Sequence, residues 1–172
     1  MKTIIIFTSL LLSLIAATPT AMPLEVVSER HWNPSCPPNG TLPANHISPS
    51  LIVPVSSNLP DVAFGPTSFP LITPNDFCSI FNLVVPPSGV GKTCTLEFLF
   101  PSHSQTFAPF VYSGGGHFTF TGYAFGSGAT PQTTYNQQPP AGPSPPQPPA
   151  VLQPGNAYTI NVGGCAIEEG MK

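Results

Sequence analysis

A chain of 172 residues, 41% of them apolar, has the length for one domain and the material for a core. Only 6% of its residues are charged, and its 25 prolines and 15 glycines oppose helix interiors, which points to an all-β domain rich in turns. Four Lys and Arg against seven Asp and Glu, a net charge of −3, form no basic patch, so nucleic acid and anionic membrane surfaces are excluded as partners on electrostatic grounds.

Met1-Lys2-Thr3 is a short basic start, residues 4–14 are an almost unbroken apolar run, and the small residues Ala16-Ala17 follow. This is the pattern of a secretory signal peptide over residues 1–17, cut after Ala17. The apolar run is well short of the ~20 residues a membrane span needs, so no membrane is expected for the mature chain. Residues 18–45 are polar, proline-rich and aperiodic, an extended arm tied down at Cys36. The arm carries an N-glycosylation triplet at Asn39-Gly40-Thr41. Cys36, Cys78, Cys94 and Cys165 are an even set in an oxidising compartment, so two disulfides are expected, with three pairings open. No two cysteines lie close enough for a structural zinc site.

The domain proper spans residues 46–172. Residues 48–55 read as a strand that Pro54 demotes to an edge. Residues 79–85 read as a second strand with Phe81, Leu83 and Val85 inward. The Pro86–Gly91 stretch turns the chain into residues 91–101, where Cys94, Leu96, Phe98 and Phe100 share the inner face of a central strand and Thr95, Glu97 and Leu99 the outer. These two strands are expected to form a hairpin. In that hairpin Cys78 and Cys94 fall on opposite faces, which disfavours their pairing unless a bulge intervenes. Residues 117–125 form a further strand, with Phe118 and Phe120 on one face and Thr119, Thr121 and Tyr123 on the other, and residues 129–135 a short one broken by Pro131. Residues 137–154 hold eight prolines and read as a solvated polyproline loop. Residues 157–162 close the domain with Tyr158, Ile160 and Val162 inward. About seven short strands with closely spaced turns imply an antiparallel, disulfide-stapled β-sandwich.

Material for catalysis is thin. Ser88-Gly89-Val90-Gly91-Lys92-Thr93 looks like the end of a phosphate-binding loop, but Pro86 stands where the first glycine belongs and a strand follows where a helix is required. His31, His46, His103 and His117 permit a copper oxygenase acting on polysaccharide only if processing after Arg30 frees His31 as the N-terminus. Between His46 and Cys165 the acidic residues are Asp61, Asp76 and Glu97, two in turns and one on the outer parity of a strand. Nothing singles out a pair for glycoside hydrolysis, and no cofactor, metal or catalytic residue is expected.

Gly91-Lys92-Thr93-Cys94 with Leu96, Phe98, Leu99, Phe100 and Pro101 resembles the fungal But-two (ubiquitin-3-binding protein) C-terminal domain family. Ile52 to Val55 with Pro60-Asp61 and Phe64-Gly65, Phe81 with Pro86, Ala129-Thr130 with Thr134-Tyr135-Asn136, and Pro154 to Tyr158 before Cys165 extend the resemblance over residues 46–165. The resemblance implies a compact β-sandwich, fungal and at the cell surface or secreted, without catalytic residues. It implies a bond between Cys94 and Cys165, which leaves Cys36 with Cys78. It also implies a strand after the last cysteine, for which only residues 166–172, with Glu168 and Glu169, remain. The function expected is a secreted, non-catalytic extracellular or cell-wall module that binds glycan or protein, with Tyr112, Tyr123 and Phe125 as its binding face. The alternatives are a polysaccharide-active enzyme and an effector that binds a host protein.

Overall fold

A computed structural model describes residues 42, 44–146 and 149–165. Residues 1–17, expected as a signal peptide, together with Cys36, Asn39, His31 and the segment after Cys165, lie outside the described residues. Four strands form two antiparallel pairs: β1 (Leu51–Ser56) with β2 (Phe77–Asn82), and β3 (Thr93–Phe100) with β4 (Asn156–Gly164). The architecture is all-β, with a single 3-10 turn at Pro87–Gly89 and no α-helix among the described residues. Among the described residues four strands, not about seven, carry ladders.

The expected hairpin between the second and third strands does not form. β2 ends at Asn82, and Pro86-Pro87 and the 3-10 turn occupy the path to β3. Two consecutive prolines have no N–H to give a ladder, so each strand pairs elsewhere. β1 and β2 run in register from Leu51 opposite Asn82 to Ser56 opposite Phe77. Opposite residues share a face, so Leu51, Val53 and Val55 lie with Cys78, Ile80 and Asn82. Val53, Val55, Ile80 and Ala129 form the buried cluster here, with Leu51 and Tyr123 against it. The inward parity expected for β2 is therefore inverted: Ile80 is buried, while Phe81 and Leu83 are exposed. The odd-numbered run Phe81, Leu83, Val85 is the more apolar of the two, but the pairing of Ile80 with Val53 in the buried cluster, not alternation, fixes the face.

Polar latches hold the ends of this sheet. The fully buried Ser56 hydroxyl donates to Asp76 Oδ1 at 2.5 Å and accepts from the Leu59 amide. Asn82 Nδ2 donates to the Ala129 carbonyl at 2.8 Å, and Asn82 Oδ1 accepts from the Ala129 amide at 3.0 Å. One side-chain amide thus does the work of a strand's backbone. Ser57 N–H bonds the Asp76 carbonyl and continues the register, which places Val55, Val53 and Leu51 at hydrogen-bonded positions and Pro54 between them, its ring nitrogen turned away from β2. Ile52, on that same outer edge, accepts from the Thr67 amide at 2.9 Å.

In the second sheet β3 keeps the alternation read from its sequence: Phe98 and Phe100 pack with Phe118, Phe120, Leu152, Tyr158 and Ile160. A bulge between Leu96 and Glu97 leaves Ile160 as the extra residue of β4. Beyond a bulge the parity of the bulged strand reverses. Asn161 and Gly163 therefore come opposite Leu96 and Cys94, and Val162, expected inward, is 58% exposed. Leu96, expected in the core, is 37% exposed, with the polar Asn161 opposite it in place of an apolar residue. Glycine opposite Cys94 leaves room for the diagonal disulfide Cys94–Cys165, whose Cα atoms are 4.8 Å apart. The Cys165 amide also donates to the Lys92 carbonyl at 3.1 Å.

Residues 117–125 and 129–135, expected as strands, carry no ladder. The alternation nonetheless survives in the first: Phe118 and Phe120 pack on Phe98 with centroids 5.6 and 5.5 Å away, and Tyr123 forms an isolated bridge with Ala141. Residues 129–135 fold into turns, with the Thr133 amide donating to the Thr130 carbonyl and Thr133 Oγ1 accepting from the Thr130 amide. The proline-rich stretch is less free than expected. Ala124 N–H bonds the Pro140 carbonyl, Gly142 N–H bonds the Gly122 carbonyl, and Leu152 is fully buried. A Cβ on Gly122 or Gly142 would overlap the facing backbone of Pro143 or Tyr123, so this approach requires glycine on both sides.

Candidate functional surfaces

Two features stand out: a loop backed by aromatic contacts that presents apolar side chains, and an uncharged groove on the first sheet. The loop follows β3. Gln105 fastens its start, accepting at Oε1 from the Ser102 amide at 2.8 Å and from the Ser102 hydroxyl at 3.0 Å. Further along, Phe110 and Tyr112 turn inward. Phe110 lies under His103, the rings parallel and 4.1 Å apart, and next to Phe100. Tyr112 meets Phe100 edge-on at 5.0 Å and its hydroxyl donates to the Gly114 carbonyl. Two others face water: Phe107 is 94% exposed and Val111 97%. They are the two most exposed large apolar side chains among the described residues.

The groove, about 450 Å3, is lined by Cys78, Ser79 and Ile80 of β2, by Thr119, Thr121 and Tyr123, and by Tyr135, Gln138, Pro139 and Ala141. It carries hydroxyls, an amide and a thiol but no charged side chain. The Tyr123 hydroxyl donates to Gln138 Oε1 at 2.5 Å. Burial, and then the neighbouring Cys78 and Tyr135, push that phenol above its ordinary value. The Cys78 side chain is exposed and has no disulfide partner among the described residues.

The expected binding face is not one surface. Tyr112 packs on the aromatic core of the second sheet and Tyr123 on the aliphatic core of the first. Phe125 is 54% exposed. Sequence reasoning passed over Phe107 and Val111 because no alternating run marks their loop as structured. Their shared parity, opposite to that of Phe110 and Tyr112, was the available signal.

Asp61, Asp76, His103 and His117, weighed for chemistry, have structural partners. Asp61 accepts from Asn136 Nδ2 at 2.8 Å, and Asp76 from Ser56 and the Asn58 amide. Glu97 is exposed on β3. His103 stacks on Phe110, and His117 Nδ1 lies 2.7 Å from the Ala150 carbonyl. Among the described residues no group of three His, Cys, Asp or Glu could hold a metal. In the loop before β3 the amides of Gly89, Val90 and Lys92 donate to the carbonyls of Pro86, Pro87 and Gly89, so they are not arrayed toward a phosphate.

Fold and surfaces together define a small all-β module, stapled by a disulfide between its central strand and the residue that follows the last one. The chain belongs to the family described as the Ubiquitin 3 binding protein But2 C-terminal domain, which matches residues 48–172. No curated protein and no solved structure matches it.

Proposed function

We propose that this chain is a secreted, non-catalytic fungal module of the cell wall or extracellular space, its two sheets the layers of a β-sandwich, and that it binds a protein partner through the Phe107–Val111 loop. The observation that carries the reading is the pair of almost fully exposed apolar side chains on a loop backed by the His103–Phe110 stack. The sequence pattern of residues 1–17 and the Cys94–Cys165 bond support an oxidising compartment. The family's printed name supports a protein rather than a glycan as partner. Apolar anchors such as Phe107 and Val111 suit a protein surface, whereas sugar binding draws on planar aromatic faces with polar groups beside them.

The test is binding of the full chain, purified from culture medium, to washed cell walls before and after protease treatment of the walls. The expected product begins at Thr18, its wall binding is lost after protease, and the double change Phe107→Ala with Val111→Ala weakens binding by about 30-fold, the size of one hot spot. Retention in the cell with free Cys94, protease-resistant binding to glycan, or an unaltered double variant would each reject the corresponding part of the reading.

A further inference from the structure

We infer that the groove beside β2 is the seat of the chain's own N-terminal arm, residues 33–39, fastened there by a disulfide between Cys36 and Cys78. The chain has four cysteines, and Cys94 and Cys165 are joined to each other, so Cys36 is the remaining partner for the exposed thiol of Cys78. That thiol lines the groove together with the rings of Tyr123 and Tyr135 and with Pro139. The arm reads Asn33-Pro34-Ser35-Cys36-Pro37-Pro38-Asn39. It is uncharged, as the groove is, and three prolines in seven residues are a composition that favours the extended polyproline form. Segments of that kind seat in aromatic-lined grooves at low entropic cost. The Tyr123 hydroxyl is engaged by Gln138, but among the described residues the Tyr135 hydroxyl has no hydrogen-bond partner, and the arm's proline carbonyls are acceptors it could serve.

Reach is sufficient. Cys78 stands opposite Val55, four positions along β1 from Leu51, a distance of ~13 Å at strand spacing. The segment from Cys36 to Leu51 could span up to ~50 Å if extended. Ala44 and Asn45 form a turn on that path, which provides the reversal needed to bring the arm back along β1. The bond forms by thiol–disulfide exchange: the two cysteines give up two protons and two electrons, and a disulfide oxidant such as oxidised glutathione becomes two thiols.

This inference does not depend on the Phe107–Val111 loop or on where the cell sends the protein. The test therefore uses the full chain refolded in a reduced and oxidised glutathione pair, alkylated without denaturant, and mapped by mass spectrometry without reduction. The expected map contains a Cys36–Cys78 crosslink beside Cys94–Cys165. Amide exchange over residues 119–123 and 135–141 is expected to be about tenfold slower than in Cys36→Ser, as for segments covered by a docked element. If Cys36→Ser does not fold, as judged by loss of the Cys94–Cys165 pair, the variant Pro37→Gly with Pro38→Gly keeps both thiols and should speed exchange over the same segments. An alkylated Cys78, a Cys78 linked to a second molecule, or exchange over these segments that the variants leave unchanged would overturn the inference.

Discussion

The two sheets solve the same problem by different means. The first buries four aliphatic or small side chains, Val53, Val55, Ile80 and Ala129, and closes its ends with side-chain hydrogen bonds from Ser56, Asp76 and Asn82. The second gathers Phe98, Phe100, Phe118, Phe120 and Tyr158 and closes its end with a covalent bond. Distance in sequence explains the division. β1 and β2 are near neighbours in the chain, and short polar contacts suffice to fix their register. β3 and β4 are separated by the whole aromatic and proline-rich middle of the protein, so bringing them together carries a larger loop-closure cost. A crosslink offsets that cost most where the loop it closes is long.

The comparison is broken most severely at Cys94. Cys94→Ser opens a loop with a sequence separation of 71, and the chain-entropy relation predicts a loss of about 4 kcal/mol. Equilibrium denaturation of the variant against the oxidised wild type measures that loss. Exchange in β3 and β4 should accelerate more than in β1 and β2, and uniform acceleration would show that the sheets unfold as one unit. Next in size are truncations in the two cores. Leu152→Ala, at a fully buried position in the second sheet's cluster, should cost about 3 kcal/mol, and Val55→Ala in the first about 2 kcal/mol, both read from denaturant midpoints at constant slope.

The smallest expected effect is the acid response of Asp76. Its carboxyl is held below the ordinary 3.8, chiefly because the Ser56 hydroxyl donates to it; burial works in the opposite direction, and the Asn58 and Ser57 groups add to the lowering. A depressed carboxylate stabilises the fold when ionised. Its contribution is whole above pH 3.8 and drains as the pH falls below that value through the folded pKa. Asp76→Asn should flatten this part of the stability–pH curve and leave the neutral arm of its slope unchanged. A variant as acid-sensitive as wild type would show that other carboxylates govern the transition.

How much of this was legible in the chain varied with the kind of signal. The faces of β3 could be read because Phe98 and Phe100 alternate with Glu97 and with Leu99, which pairs across to Ala157. The choice of partner strands could not, since pairing over a long separation leaves no periodic mark. In β2 the more apolar parity, Phe81, Leu83 and Val85, points to the wrong face, because pairing with Val53 and Val55 buries Ile80 instead. At Val162 the rule was right and the count was wrong: one unpaired residue, Ile160, reverses everything after it. In the middle of the chain, the alternation of Phe118, Thr119, Phe120 and Thr121 reported correctly which residues face the core and which line the groove, although no ladder forms there. Among the surfaces, the tyrosines were chosen for their chemistry, while packing left Phe107 and Val111 in the open.

Pro54 has a consequence for how these molecules behave in a crowd. In a two-stranded sheet every strand is an outer strand, and an outer strand is a template on which another copy can zip. On that side of β1 the position between Ile52 and Ser56 is occupied by a residue with no hydrogen to offer. A second chain approaching there meets a gap in the row of donors, with the neighbouring Ile52 carbonyl already taken by Thr67. The proline that weakens β1 as a strand thus keeps one molecule from becoming the seed of a fibre.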